Sequence, residues 1–276
     1  MPSKPKLGQN FLVDAEAAAR IVAALGDVSQ RTVVEIGPGR GAITGLLIGR
    51  ARHVIAVELD RAFAAELRMR FTPEQVTVVE QDVLGFDFAA AAARAGHPLP
   101  VVGNLPYYIT SPILLKLAAS HAALEMAVLD SAVLMVQREV AARVAAAPGT
   151  RDYGSLSVMV QMHGPVEPLF TLPPASFSPP PEVHSAVFRW RFAPRFAELG
   201  VEADPFLRFV RQAFAQKRKT LQNNLRAAGF LPAVTASAIA QAGIDIGARA
   251  EAVSIPAFAA LWRSLHSTQA SPEAGA

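Results

Sequence analysis

The segment Asn104-Leu105-Pro106-Tyr107 places a side-chain amide, a proline and an aromatic ring directly after a short apolar run, Pro100–Gly103, that predicts a buried strand. Because proline biases the residue before it toward an extended conformation, the carbonyl of Leu105 is left without a helical partner. An amide oxygen and a carbonyl oxygen can together accept hydrogen bonds from the exocyclic amine of a planar base, and an aromatic ring can stack on that base. The segment indicates methylation of such an amine, with an ordinary turn after a strand as the alternative.

A glycine-rich loop, Gly37–Gly41, follows the predicted strand Thr32–Ile36 and precedes a helix expected from about Ala42. Glycines let the backbone approach a ligand closely, and a helix amino terminus favours an anionic group. Glu58 closes the next strand, where an acid of a Rossmann-type site binds ribose hydroxyls. A nicotinamide dehydrogenase would fit these features nearly as well, but the Gly-x-Gly-x-Gly spacing differs from the dinucleotide pattern and favours S-adenosylmethionine.

Asp82 follows the third predicted strand and could accept a hydrogen bond from the adenine amino group of such a cofactor. The alternative is a helix N-cap or an Asx-turn. Because ligands bind outside the carboxyl ends of parallel strands, the glycine loop, Glu58 and Asp82 together predict one cofactor site.

Apolar runs alternate with helical segments over the first two thirds of the chain, which predicts an α/β, Rossmann-like doubly wound sheet. Two later segments are predicted to add an antiparallel pair, and a proline-rich loop with little helix potential, Pro173–Pro181, joins them. The predicted strands are Thr32–Ile36, Val54–Glu58, Val76–Glu80, Pro100–Gly103 and Ala132–Gln137, then Val166–Leu172 and Ala186–Phe192, and the first predicted helices are Ile43–Arg50 and Arg61–Phe71.

After Arg195 the pattern changes to helices only, Pro205–Gln216, Pro232–Ala242 and Pro256–His266, each beginning with a proline. The sequence therefore predicts a catalytic domain over residues 1–192, a small helical domain over 193–267 and a disordered tail over 268–276.

Composition narrows the class of protein. The 276 residues carry a net charge of +3 and no cysteine, which excludes disulfides, thiolate zinc sites and a cysteine nucleophile. Apolar runs too short to span a membrane and the absence of a signal-peptide core predict a cytoplasmic enzyme, and the scattered histidines predict no metal site.

No acid occurs from Pro205 to Ile244, so the cations there predict binding to a polyanion, with a solvated helix face as the alternative. These cations are Arg208, Arg211, Lys217, Arg218, Lys219 and Arg226.

Several long motifs in order resemble the small-subunit ribosomal RNA adenine dimethyltransferases (the KsgA/RsmA family), close kin of the erythromycin-resistance methylases. The resemblance runs from about Leu7 to Leu265, and its departures are minor, for instance His184, where an acid is more usual. The motifs are Leu7–Leu12, Glu35–Thr44, Val102–Ser111, Met135–Val140, Tyr153–Ser157, Phe177–Ser185, Gln216–Leu221 and Asn224-Leu225.

The resemblance implies S-adenosylmethionine as methyl donor and no metal. The implied substrate is a pair of adjacent adenosines in a hairpin near the 3′ end of 16S rRNA, within the small (30S) subunit or its precursor, each dimethylated at N6 by a monomeric enzyme. Asn104 and Leu105 would hold the amine, Tyr107 would stack on the extruded base, and Phe177 would close its other face unless it is simply packed in the core. The implied cofactor contacts are Asn10, Leu12, Gly37, Gly39, Glu58, Leu59, Asp82, Val83 and Asn104.

The sequence leaves two other functions open, and both are favoured over the nicotinamide dehydrogenase considered above. One is an erythromycin-resistance type methylase acting on 23S rRNA, which shares the chemistry but not the target. The second is an assembly factor that acts mainly by binding an immature small subunit.

Overall fold

The structure is a computed structural model that describes residues 10–122 and 127–267. The chain divides into two compact units, one formed by Met1–Ala141 with Pro165–Ala193 and the other by Ala142–Gly164 with Pro194–Ala276. Among the described helices, none is long and apolar enough to cross a membrane. The predicted tail over residues 268–276, and the start of the motif Leu7–Leu12, lie outside the described residues.

The strands belong to the first unit. They are β1 Phe11–Leu12, β2 Thr32–Ile36, β3 His53–Glu58, β4 Val76–Glu80, β5 Leu99–Asn104, β6 Leu129–Gln137, β7 Val166–Leu172, β8 Phe177–Ser178 and β9 Ser185–Arg191. The helices are α1 Ala15–Ala23, α2 Thr44–Leu47, α3 Arg61–Arg70, α4 Phe88–Ala95, α5 Thr110–Ala122, α6 Arg138–Ala145, α7 Ser155–Gln161, α8 Ala203–Ala213, α9 Leu221–Ala227, α10 Pro232–Gln241 and α11 Ile255–Ser267.

Seven strands form one sheet in the order β4-β3-β2-β5-β6-β9-β7. The pairs from β4 to β6 are parallel, and β9 and β7 are antiparallel to their neighbours. The chain builds outward from β2 through β3 to β4 and then returns to place β5 on the other side of β2. Strand order reverses there, and the crevice at such a reversal is where α/β sheets bind ligands.

The Rossmann-like α/β fold and the added antiparallel pair are confirmed. Strands β2, β4 and β7 have the predicted bounds, and β3, β5, β6 and β9 differ from prediction only at their ends. The central strands are buried on both faces, with Val33, Val34, Val101 and Val102 fully inaccessible, as expected for parallel strands covered by helices.

Two local predictions differ from the structure by more than the position of an element's ends. The helix expected over Ile43–Arg50 is only the single turn α2, and the chain leaves it for Gly49, which has a φ of 81° that a helix does not allow. The proline-rich loop contains the short strand β8, which pairs antiparallel with β1 so that Leu12 lies opposite Phe177. A two-residue strand has no periodicity to reveal it in the sequence.

The second unit consists of α7–α11 with the segments around them, and it includes residues 142–164, which the sequence analysis assigned to the first domain. Tyr153 shows why this segment packs there. Its ring makes an edge contact with Phe214, and its hydroxyl donates to the carbonyl of Val253 at 3.0 Å. The bounds at residues 192 and 267 stay predictions.

Candidate active site

A pocket opens at the carboxyl ends of β2, β3, β4 and β5, where the strand order reverses. It is lined by every residue that the sequence analysis proposed for the cofactor, by Leu105, Pro106 and Tyr107, and by further neighbours. The proposed residues in its wall are Asn10, Leu12, Gly37, Gly39, Glu58, Leu59, Asp82, Val83 and Asn104. Residues predicted from separate strand ends and residues implied only by the resemblance therefore line one cavity within the first unit.

The glycine loop forms one wall of the pocket in a conformation that requires glycine. Gly37 and Gly39 have φ values of 63° and 52°, and a Cβ on Gly39 would lie 3.0 Å from the Phe11 ring. Farther back, a Cβ on Gly103 would lie 2.7 Å from the main-chain oxygen of Ile36. The glycines thus allow β2, β5 and the segment around β1 to approach closely and leave a wall of bare backbone for a ligand.

Glu58 holds this loop from the end of β3. Its Oε2 accepts a hydrogen bond from the Gly39 N–H at 2.9 Å, and its Oε1 accepts one from the Asp60 N–H at 2.8 Å. The side chain is almost fully buried, yet it lines the pocket. Each carboxylate oxygen can accept a second hydrogen bond, so a fixed Glu58 can receive two adjacent hydroxyls such as those of a ribose.

Asp82 caps a turn and also lines the pocket, a position that is compatible with both alternatives predicted from the sequence. Its Oδ1 accepts from the Leu84 N–H at 2.9 Å and so caps the 3₁₀ turn Val83–Gly85, which is the structural alternative. The residue also lines the pocket, and Oδ2 makes no hydrogen bond to the described residues. The cap fixes the carboxylate, and the second oxygen can accept from an amino group.

The bare loop wall, the paired acceptors of Glu58 and the free oxygen of Asp82 fit the main parts of S-adenosylmethionine. No cluster of three or more His, Asp or Glu side chains that could hold a metal ion occurs among residues 10–122 and 127–267.

Glu35 is a pocket residue to which the sequence analysis gave no role. It lies inside β2 with 1% of its surface exposed, and its Oε2 accepts from the Thr44 hydroxyl at 2.6 Å. Burial raises the pKa of this carboxyl to about 7, the negative charge of Glu58 acts in the same direction, and the hydrogen bond from Thr44 opposes both. An acid within an otherwise apolar strand was the available signal.

Asn104 and Leu105 lie at the end of β5 beside this cofactor wall. The Asn104 side-chain N–H donates to the main-chain carbonyl of Asn10 at 2.9 Å, which determines where the amide oxygen points. The Leu105 N–H donates to the Met135 carbonyl at 2.9 Å and so fixes the backbone. Neither Asn104 Oδ1 nor the Leu105 carbonyl oxygen accepts a hydrogen bond from any described residue, which leaves both as acceptors for a ligand.

Tyr107 begins the 3₁₀ turn Tyr107–Ile109. Its hydroxyl lies 2.6 Å from the Ser185 hydroxyl at the start of β9, and this bond anchors the half-buried ring in the pocket wall. Burial raises the pKa of Tyr107 above its usual range, and the hydrogen bond to Ser185 acts in the opposite direction. Ser185 appeared in the sequence analysis only as the last residue of a motif.

Phe177 is not among the residues that line the pocket. Its side chain is 3% exposed and belongs to an apolar cluster with Leu12, Leu172 and Val187. Ordinary packing, the alternative stated from the sequence, describes this position. The closing of a base by Phe177 stays a prediction.

The segment Asn10–Asp14 is fastened to the sheet by contacts that the sequence analysis missed. Asp14 caps α1 by accepting from the Ala17 N–H at 3.0 Å and also accepts from the Ser176 hydroxyl at 2.9 Å. These two hydrogen bonds, the one from Ala17 first, lower the pKa of Asp14. The Phe11 ring also makes an edge-on contact with the Phe63 ring, with 5.1 Å between the two ring centroids. The segment that supplies Asn10 and Leu12 to the pocket is therefore held at both ends.

The six cations proposed for RNA lie in the second unit, and all six are exposed. Lys217, Arg218 and Lys219 occupy a turn between α8 and α9, because the helix predicted over Pro205–Gln216 ends at Ala213 and α9 begins at Leu221. Buried Asn224 supports this turn: its side-chain N–H donates to the Ala213 and Gln216 carbonyls at 2.8 and 3.2 Å. Its Oδ1 accepts from the Gln216 N–H at 3.1 Å. The hydrogen bonds of Asn224 thus hold the backbone at the start of this exposed basic turn.

Comparisons with known proteins agree with this geometry. A family described as ribosomal RNA adenine dimethylase matches residues 2–266. Ribosomal RNA small subunit methyltransferase A of Acidobacterium capsulatum is 60% identical over 95% of this chain and 91% of its own length. The protein of the same name from Koribacter versatilis is 49% identical over 95% of this chain and 94% of its own length.

Two solved structures are similar over nearly the whole chain. The 23S rRNA methyltransferase ErmE is 27% identical with a TM-score of 0.69, over 93% of this chain and 100% of its own. A dimethyladenosine transferase from Plasmodium falciparum is 23% identical with a TM-score of 0.75, over 94% of this chain and 98% of its own. The second, at this identity, supports the fold alone.

Proposed function

This chain belongs to the ribosomal RNA adenine dimethylase family, and from that premise we propose that it dimethylates N6 of two adjacent adenosines in the 3′-terminal hairpin of 16S rRNA. The observation that carries this proposal is the pair of acceptors at the end of β5. Asn104 Oδ1 and the Leu105 carbonyl oxygen lie beside the proposed cofactor wall without a partner among the described residues. An exocyclic amine has two N–H groups to donate to such a pair.

The cofactor is proposed to be S-adenosylmethionine, which supplies an electrophilic methyl group when bound. Glu58 would accept from the ribose hydroxyls and Asp82 from the adenine amino group. The glycine loop, with Gly37 and Gly39, would let the remainder of the cofactor lie against the backbone. Asn10, Leu12, Leu59 and Val83 would complete the wall.

The protein's own contribution is proposed to be positioning. By accepting both N–H groups, Asn104 and Leu105 would turn the nitrogen lone pair toward the methyl donor, and holding reactants in line removes much of the entropic barrier. Tyr107, anchored on Ser185, would stack on the base. No general base is needed for the first transfer, because the proton leaves an already methylated, cationic nitrogen.

Phe177 is proposed to close the other face of the base. To do so, its ring would have to leave the apolar cluster in which it is buried. This role therefore requires the Phe177 side chain to change its position when RNA binds.

Sequence identity favours the small ribosomal subunit over 23S rRNA as the target of this enzyme. The relatives named for the small subunit are 60% and 49% identical, whereas ErmE is 27% identical. We propose that the enzyme acts in the cytoplasm as a monomer on the 30S subunit or its precursor. The basic surface of Arg208, Arg211, Lys217, Arg218, Lys219 and Arg226 would contact RNA phosphates and position the enzyme rather than read sequence.

The test is methyl incorporation from labelled S-adenosylmethionine into unmethylated small ribosomal subunits, with large-subunit RNA in parallel. The proposal predicts label only in the small subunit, mapped to two neighbouring adenosines that each carry two methyl groups. Label confined to large-subunit RNA would instead identify a 23S rRNA methylase. Tight binding to the particle without label would identify an assembly factor.

A further inference from the structure

Tyr108 differs from every other aromatic residue of this chain in its exposure. The chain has 15 phenylalanines, 3 tyrosines and 2 tryptophans, all within the described residues, and Tyr108 is the one that is exposed, at 57%. A large ring in contact with water forgoes part of the stabilisation that burial of its apolar surface would give. At the candidate active site, this exposure leaves the ring accessible to a ligand.

Tyr108 also lines the proposed active-site pocket. It is the middle residue of the 3₁₀ turn that begins at Tyr107, and side chains in such a turn are separated by about 120° per residue. Tyr107 points into the wall, where its hydroxyl meets Ser185, and so Tyr108 points away from it. The Tyr108 ring makes no hydrogen bond or ring contact with the described part of the chain.

The turn that presents Tyr108 is itself rigid. The Pro106 carbonyl accepts from the Ile109 N–H at 3.2 Å and from the Thr110 hydroxyl at 3.1 Å, and Thr110 is buried at the start of α5. The exposed ring is thus carried on a backbone that is fixed on both sides. Because this backbone is already ordered, stacking a flat ligand on the ring would cost only the rotamer freedom of the Tyr108 side chain.

We propose that Tyr108 is a stacking platform for the RNA nucleotide next to the adenosine whose base occupies the pocket. A base that enters the pocket leaves its neighbour unstacked at the mouth, and an aromatic ring replaces the lost stacking irrespective of base identity. Tyr107 would then serve the target base and Tyr108 its neighbour. The inference rests on the proposed function, because it needs a single-stranded RNA substrate with an extruded adenosine.

The experiment compares Tyr108→Ala, Tyr108→Leu and Tyr108→Phe with the wild type on unmethylated small ribosomal subunits. The readouts are kcat/KM for the subunit and the Kd for S-adenosylmethionine. Loss of one stacking contact predicts that the Ala and Leu variants lose about 5- to 150-fold in kcat/KM, mostly through KM for the subunit. The Phe variant keeps the ring and should stay within about twofold of the wild type. Cofactor Kd should not change in any of the three.

Met69→Ala is the matched control, because Met69 is 82% exposed on α3 and is not among the residues lining the pocket. Wild-type kcat/KM in Tyr108→Ala, or an equal loss in the Phe and Ala variants, would overturn the stacking role. Absence of methylation by the wild type would overturn the proposed function itself. Parallel loss of cofactor affinity in Tyr108→Ala would mean that the ring supports the pocket instead of the RNA.

Discussion

Asn104 donates its side-chain amide hydrogen to the main-chain carbonyl of Asn10 at 2.9 Å, across 94 residues of sequence. This bond joins the end of β5 to the amino-terminal segment that contributes Asn10 and Leu12 to the same pocket. It also orients the amide, because the nitrogen is committed to Asn10 and the oxygen faces the ligand side. The proposed cofactor wall and the proposed amine acceptor are thus coupled by one hydrogen bond.

Removing the Asp14 side chain should weaken cofactor binding from outside the pocket. Asp14→Ala removes the cap of α1 and the hydrogen bond from Ser176 that hold the segment of Asn10 and Leu12. We expect the free energy of unfolding to fall by about 1 kcal/mol and the Kd for S-adenosylmethionine to rise about 2- to 10-fold. Denaturant unfolding and calorimetry measure the two effects.

The control for this change is Asp87→Ala. Asp87 caps α4 by accepting from the Ala90 N–H at 2.9 Å, but it does not line the pocket. It should lose similar stability and keep cofactor affinity. Equal cofactor affinity in the Asp14 and Asp87 variants would show that the amino-terminal segment is not part of the binding site.

Alanine at Gly39 should damage the pocket more than alanine at another glycine with positive φ. Both Gly39 and Gly49 have positive φ, so either substitution costs about 1–2 kcal/mol of backbone strain. Only at Gly39 would the new Cβ also meet the Phe11 ring, at 3.0 Å, whereas nothing lies within 4 Å at Gly49. Calorimetry should show weakened cofactor binding for Gly39→Ala alone. Similar Kd values for the two variants would mean that the approach of Phe11 to the loop is unimportant for binding.

Glu35 should make the stability of the cofactor-free protein depend on pH. Its pKa is raised from 4.5 to about 7 in the folded state, so the folded protein binds more protons than the unfolded chain between these values. The contribution of Glu35 to the free energy of unfolding is therefore fully present below about pH 4.5, and it is lost as the pH rises through 7. Glu35→Gln removes the titration and keeps an acceptor for the Thr44 hydroxyl.

We expect the stability difference between Glu35→Gln and the wild type to shift in favour of the variant by an amount on the order of 3 kcal/mol from pH 4 to pH 8. Urea unfolding across this range measures it. A difference that does not change with pH would show that Glu35 titrates normally in the folded protein.

If the proposed basic surface contacts RNA phosphates, the affinity for the small subunit should depend on salt concentration through these residues. Lys217→Glu with Lys219→Glu places two acids in the turn braced by Asn224 and should weaken binding to the small subunit. It should also reduce the slope of log K against log salt by about one unit per lost phosphate contact. Titrations at several salt concentrations measure this slope. Arg50→Glu with Arg52→Glu, exposed residues outside the proposed surface, carries the same change in net charge. Equal slopes in the two double variants would show that the basic turn is an ordinary solvated surface that does not contact RNA phosphates.

The part of the site that could be predicted from sequence lies at strand ends. Gly37, Glu58, Asp82 and Asn104 each lie at or just after the end of a recognisable apolar strand, and the carboxyl ends of parallel strands meet at one edge of a sheet. Local patterns therefore determined a three-dimensional cluster without any knowledge of distant contacts. The parallel sheet was predictable for the same reason, because each strand and each helix has its own periodicity.

The contacts that hold this cluster together were not predictable in the same way. The pairing of Leu12 with Phe177 and the bond between Tyr107 and Ser185 join residues far apart in sequence. Strands of two residues have no period, and a serine hydroxyl has no preferred partner that sequence reveals. The packing of Tyr153 with Phe214 likewise has no local signal, which explains why residues 142–164 were expected in the first domain.

The most direct test of the account is Asn104→Ala with cofactor affinity and turnover measured on the same preparation. Asn104 is proposed to act mainly on the amine, and its removal costs the cofactor site one residue of its wall and the hydrogen bond to Asn10. Turnover on small subunits should fall about 100-fold or more, while calorimetry should give a Kd for S-adenosylmethionine within about 10-fold of the wild type. A loss of cofactor affinity as large as the loss of turnover, or turnover near that of the wild type, would contradict it.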